Sequence, residues 1–206
     1  TTPIRITNNS YGTGSYSSQL EAAFDVLGSS GVLHIGSAGN DGSAAGNGNN
    51  VSYPARYESV VAVAALDKNN QRASFSSTGS DVEIAAPGVA VLSTWKDSTN
   101  FAGPQPFSFA GYAGEYFIEA NGTSMASPHV AGVAALLMAS DANYTAEAVR
   151  KKINGTALDL GEIGKDKLYG YGLVDASSAL GIGSIANNSP VAYGQTVDTT
   201  QNSSVA

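Results

Sequence analysis

The chain has no cysteine in 206 residues, two histidines, one tryptophan, and charge on only 13% of its positions. Each shortage bounds what the chain can do. Without cysteine, disulfides cannot report the redox compartment, and an oxidising exterior is compatible with the composition. Ten Lys and Arg against 17 Asp and Glu give a net charge of −7. Lys151-Lys152 is too short a basic run to replace phosphate counterions, so nucleic acid is not an expected partner. No apolar window is long enough to span a bilayer, and from Thr1 onward there is no charged and then apolar signal pattern, so no membrane partner is expected. What is abundant is glycine, 24 residues, and apolar side chains at 42%. The length suits one sizeable core, with loops that make close backbone approaches and a surface kept soluble by Ser, Thr and Asn.

Strand and helix signals alternate along the chain. Ser18-Gln19-Leu20-Glu21 reads as a capping box, with Leu20, Phe24 and Leu27 at helical spacing, which predicts a helix over about 18–28. Buried strands are expected at Val32 to Ile35 and Val60 to Leu66, with shorter ones at Val82 to Ile84 and Val89 to Thr94. Thr145 caps a later helix with Glu147 in its first turn and Arg150, Lys151 and Lys152 in its last, and Asn154-Gly155 stops it. Buried strands joined by helices mean a mainly parallel sheet covered on both faces, with functional loops beyond the carboxyl ends of the strands.

The most informative stretch runs from Asn121 to Gly132. It places the Ser124 hydroxyl at the mouth of a helix, with Gly122 allowing a tight backbone approach just before it. Pro128 is expected in the first helical turn, where its missing N–H costs nothing. Val130 to Met138 is nearly all apolar or small, which predicts a helix surrounded by protein on every side. Its positive end and unpaired N–H groups face the serine and any anion formed there. Taken alone, Ser124 is also an ordinary N-cap residue.

The run from Gly122 to Gly132 resembles the active-serine segment of the subtilisin-like serine proteases, the subtilases, and the resemblance extends over about 4–184. It implies an α/β, three-layer subtilisin-like fold with a mainly parallel sheet, incomplete at its N-terminal side. Residues 1–184 would be the C-terminal portion of a catalytic domain. Residues 185–206 read as a linker or the start of a following β-sandwich module. The implied reaction is peptide-bond hydrolysis through an acyl-enzyme on Ser124, with polypeptides as substrates. In Ser37-Ala38-Gly39-Asn40, Asn40 takes by resemblance the side-chain oxyanion donor role, beside the Ser124 N–H and the Thr123 hydroxyl; a turn role also suits Asn40. Ser10, Tyr11 and Gly12 resemble a strand edge that pairs with substrate backbone, and Ser37, Ala38 and Gly39 the opposite wall of a roomy, apolar pocket without fixed charge.

The base and its orienting carboxylate are not expected within this chain. His34 lies in an apolar strand, and His129 is too close to Ser124 on one helix, so both read as structural. The family's Asp strand and His-Gly-Thr-His segment have no counterpart in residues 1–206. The missing N-terminal part of the same domain is therefore an expected partner, whether separated by truncation, a nick or a gene fragment, and the chain alone is expected to be inactive and poorly stable.

Tyr53 to Val60 with Glu83 resembles a weak site for Ca²⁺ or a monovalent cation, built from backbone oxygens of Ala55, Tyr57 and Val60 plus one carboxylate. No cofactor is implied for the chemistry. The Gly/Asn-rich loop from Asp41 to Asn50 lacks Ca²⁺-loop spacing and reads as surface loop. Leu168 to Ala176 reads as a structural closing turn. The resemblance also implies a secreted, bacterial protein. A second reading is a catalytically silent subtilase-like fragment acting as a binding or structural module. A dinucleotide or phosphate site is a distant third, because the glycines after Ile35 lack both the Walker lysine and the Gly-x-Gly-x-x-Gly order.

Overall fold

The computed structural model describes residues 3–94 and 117–182. Four parallel strands form the central sheet in the order β1 (Ile6–Asn9), β2 (Leu33–Ser37), β3 (Val60–Leu66) and β4 (Val82–Pro87). β3 is fully buried along its length, as its unbroken Val/Ala/Leu run requires of a strand covered on both faces. Its alternate residues feed two cores. Val61, Val63 and Ala65 pack with Leu33, Ile35 and Ile84 on one face, whereas Ala62, Ala64 and Leu66 pack with Ala38, Val51 and Ala55 on the other.

Three helices share the first core: α2 (Thr123–Ser140), α3 (Ala146–Gly155) and α4 (Ala176–Leu180). The remaining helix, α1 (Ser18–Ser29), sends Phe24 to the opposite face, where its ring meets His34 edge-on at 4.8 Å. The result is the expected three-layer α/β arrangement. β5 (Val91–Thr94) departs from expectation: instead of joining the parallel sheet it pairs antiparallel with β6 (Phe117–Ala120).

Three local expectations are corrected. α1 is capped by Ser17, whose hydroxyl accepts the Leu20 N–H, so the capping box at Ser18 does not form; Glu21 instead accepts the Tyr16 hydroxyl at 2.5 Å. Pro128 is the sixth residue of α2, beyond the first turn. Nor is α2 enclosed on every side. Thr123, Ala126, Ser127, Val130, Val133, Ala134, Leu137 and Met138 are buried, while Pro128, His129, Gly132, Ala135, Leu136 and Ala139 are exposed, Leu136 at 52%. The sheet, α3 and α4 cover one side of the helix and leave the other exposed. β1 pairs with β2 only, so its outer edge has no strand among the described residues. The expected boundary between 184 and 185 lies outside the described residues.

Candidate active site

Parallel strands β1 and β2 end side by side, with Asn9 opposite Gly36 in the register. Ser10 to Gly12 and Ser37 to Asn40 therefore leave the sheet at the same edge, its carboxyl end, and the N-terminus of α2 meets them there. Hydrogen bonds tie the three segments. Ser124 Oγ donates to the Ser10 carbonyl at 3.1 Å, and the Gly39 N–H donates to Thr123 Oγ1 at 3.1 Å.

Asn40 is oriented by Thr123. Its side-chain oxygen accepts both the Thr123 N–H and the Thr123 hydroxyl, each at 3.0 Å. With the carbonyl side of the amide so engaged, the NH₂ faces the other way. Gly122 shows where. It adopts φ 153° and ψ 157°, a conformation that side chains with a Cβ rarely enter, and a Cβ built there would stand 3.5 Å from Asn40 Nδ2 and 3.7 Å from the Ser124 nitrogen. The glycine thus keeps open a space that two N–H donors border. The Ser124 N–H has no acceptor among the described residues, as the second amide of a helix commonly does not. Two fixed donors beside a hydroxyl, at the positive end of an 18-residue helix, suit negative charge developing on an oxygen next to Ser124. The Thr123 hydroxyl, only 1% exposed at the residue level, spends its proton on Asn40. Its place in the geometry is to aim the amide.

A subtilase-family profile matches residues 1–172, and so holds Asn40 and Ser124 within one alignment. The chain belongs to the subtilase family. It is similar to a thermostable alkaline protease of Halalkalibacterium halodurans, 45% identical over 176 residues, which is 85% of this chain and 42% of that protein. It is likewise similar to subtilisin DY of Bacillus licheniformis, at 41% identity over 85% of this chain and 57% of the relative. Among solved structures, fervidolysin from Fervidobacterium pennivorans, described as a keratinolytic enzyme related to subtilisin, superposes with a TM-score of 0.73 at 35% identity, covering 86% of this chain and 26% of that one. The psychrophilic subtilisin-like protease Apa1 gives a TM-score of 0.71 at 22% identity, a likeness of fold. This subtilase chain spans about half the length of the curated relatives it matches.

The remaining expected site residues differ in exposure. Tyr11 is 55% exposed and Gly12 is exposed, in chain that follows β1 and belongs to no strand; Ser37 and Ala38 are buried and Gly39 is half-buried. Neither histidine is hydrogen-bonded to the serine hydroxyl. His34, 1% exposed, shares a 2.7 Å hydrogen bond with Thr7 through Nδ1, and burial lowers its pKa. His129 turns Nδ1 back to the Met125 carbonyl one helical turn earlier, at 2.8 Å.

The residues expected to hold a cation are only partly free. Ala55 and Tyr57 are buried near Val60, and the Tyr57 carbonyl already accepts the Val60 N–H at 3.0 Å. Both Glu83 oxygens are engaged: Arg150 binds them through Nε at 2.7 Å and an Nη at 2.5 Å, and Asn154 donates to the first at 2.7 Å. A guanidinium already neutralises this carboxylate, so Glu83 as placed does not fit as a free cation ligand. Among the described residues no group of three or more His, Asp or Glu side chains is gathered as a metal site. The sequence reading missed Arg150 in this role; its charge was read as a complement to the helix dipole, and nothing in the spacing points from residue 150 to residue 83.

Proposed function

We propose that this chain is the nucleophile-bearing portion of a serine endopeptidase domain, with Ser124 attacking the scissile carbonyl and forming an acyl-enzyme. The observation that carries the proposal is the convergence of Asn40 Nδ2 and the Ser124 N–H on the space that Gly122 leaves open. As the carbonyl becomes tetrahedral, its oxygen gains charge there, and the two donors bond it more strongly than they bond the ground state, which lowers the barrier. The Ser124 proton must leave as the bond to carbon forms. Its base and the carboxylate that orients that base come, in this reading, from the preceding part of the same domain, because His34 and His129 are both held elsewhere. The open outer edge of β1 and the exposed face of α2 around Leu136 suit contact with that part. Polypeptide substrate would lie along Ser10 to Gly12 with its side chain toward Ser37 to Gly39. No cofactor takes part in the chemistry, and a cation at Ala55, Tyr57, Val60 and Glu83 has no step in it. The protein is read as secreted and bacterial; one relative, 40% identical, is named the minor extracellular protease Epr of Bacillus subtilis.

One observation favours the silent-fragment reading: the Ser124 hydroxyl donates to a backbone carbonyl and not to a base. Peptide hydrolysis separates the two. The full-length protein should cleave a chromogenic peptide and lose that activity with Ser124→Ala, while residues 1–206 alone should show none. A full-length protein as inactive as its Ser124→Ala variant would leave the silent reading.

A further inference from the structure

We propose that the Ser10 hydroxyl is a positioning group for the nucleophile, replacing a hydrogen bond that Pro128 removes from α2. The proposal rests on Ser124 being the nucleophile. In a regular helix the N–H of residue 128 would bond to the carbonyl of Ser124, four residues earlier. Proline has no N–H, and its ring crowds that carbonyl. The Ser124 carbonyl is instead bonded by Ser10 Oγ at 2.9 Å.

The proton inventory narrows the direction of this network. Ser127 Oγ, fully buried, donates to Asn8 Oδ1 at 2.7 Å, and Asn8 Nδ2 donates to Ser10 Oγ at 3.0 Å. The Ser10 hydroxyl has one proton and two acceptors at 2.9 Å, the Ser124 carbonyl and Ser127 Oγ; we assign it to the carbonyl, which Pro128 leaves without its helical N–H. The 2.9 Å approach of Ser10 Oγ to Ser127 Oγ closes the cluster without a proton of its own. Ser10 and Ser124 thus exchange two bonds, each hydroxyl to the other's carbonyl. When the Ser124 side chain turns to attack, it gives up its bond to the Ser10 carbonyl. The bond from the Ser10 hydroxyl remains, and it keeps the backbone of the nucleophile, with its oxyanion-facing N–H, in register with Asn40.

The test is a double-mutant cycle between Ser10 and Pro128 in the full-length protein, read by the rate at which a fluorophosphonate labels Ser124 and by kcat and KM on a peptide. Ser10→Ala should slow labelling and kcat about tenfold and change KM less than about twofold. Ser10→Thr keeps the hydroxyl and should recover most of the rate. Pro128→Ala restores the helical N–H, so in that background Ser10→Ala should cost less than about twofold. An equal loss in both backgrounds, or a Thr variant as slow as the Ala variant, overturns the proposal. If Ser10→Ala does not fold, Asn8→Ala at its exposed position removes the donor to Ser10 and should give a smaller loss that Pro128→Ala also suppresses; a loss that Pro128→Ala leaves untouched counts against the proposal. Failure of the wild type to label at Ser124 would be a failure of the protease reading. Thermal melting of the same four proteins then still decides the clamp: Ser10→Ala lowers Tm only where residue 128 is proline, and additive effects refute it.

Discussion

Removing Arg150 should damage the fold more than neutralising its partner. The Glu83 side chain is 7% exposed and that of Arg150 28% exposed, and they are joined by two hydrogen bonds, with Arg150 also donating to the Glu58 carbonyl at 2.8 Å. Burial alone would lower the Arg150 pKa, but the hydrogen bond and charge of Glu83 hold it above the ordinary arginine value. Arg150→Ala strands a buried carboxylate with Asn154 as its remaining donor. Breaking a buried pair from one side costs about 3–5 kcal/mol, and the partial exposure of Arg150 puts this case near about 3 kcal/mol. Glu83→Gln keeps the shape and an acceptor, and it leaves a cation that already touches water, so about 1–2 kcal/mol is expected. Glu83→Gln combined with Arg150→Ala should cost less than the two single changes summed, because neither leaves the other uncompensated. Denaturant unfolding of the full-length protein gives the free energies; about 3 kcal/mol corresponds to about 6–12 °C in Tm for a domain of this size. Equal losses for the two single variants, or less than about 1 kcal/mol for Arg150→Ala, would refute the reasoning.

If Asn40 is the proposed oxyanion donor, Asn40→Leu should lower kcat by about 10²–10³ with little change in KM, a magnitude known from an oxyanion-hole asparagine in a subtilisin and so the family's own; a change confined to KM would remove Asn40 from the oxyanion site. Stability should fall as pH drops through the His34 window. Burial sets the folded pKa below the unfolded value of about 6.5, so between those values the unfolded chain binds more protons and acid favours it. His34→Asn should flatten that part of a Tm profile run from about pH 7.5 to about pH 5, and an unchanged slope would clear His34. At the start of α1, Ser17→Ala should cost about 1 kcal/mol and Ser18→Ala within about 0.5 kcal/mol by denaturant unfolding; the reverse order would restore the cap to Ser18.

The elements most legible in the sequence are those whose pattern carries its own physical reason. β3 is announced by an uninterrupted apolar run that only a twice-covered strand tolerates, and appears where expected at Val60–Leu66; α3 is announced by Thr145 ahead of a polarised helix and starts where expected, but runs through Asn154 and Gly155, the expected stop, to a C-cap at Thr156. The serine-bearing motif also locates the start of its helix to within a residue. Legibility fails where tertiary contacts choose between local equivalents. Ser17 and Ser18 are chemically interchangeable caps, and the Tyr16 hydroxyl on Glu21 helps decide against the second. The Val91 strand is apolar enough for the main sheet, yet its partner is Phe117–Ala120, which no local signal names. The Ser10 link to Ser124 spans 114 positions. Its only trace in the sequence is a proline placed six residues into a helix, which leaves one carbonyl short of a donor.

The most direct test of the central claim is fluorophosphonate labelling of the full-length protein, followed by mass spectrometry of the peptide that carries residue 124. The account predicts a single covalent adduct on Ser124, abolished by Ser124→Ala and slowed by Asn40→Leu. An unlabelled protein, or an adduct on another serine, would contradict it.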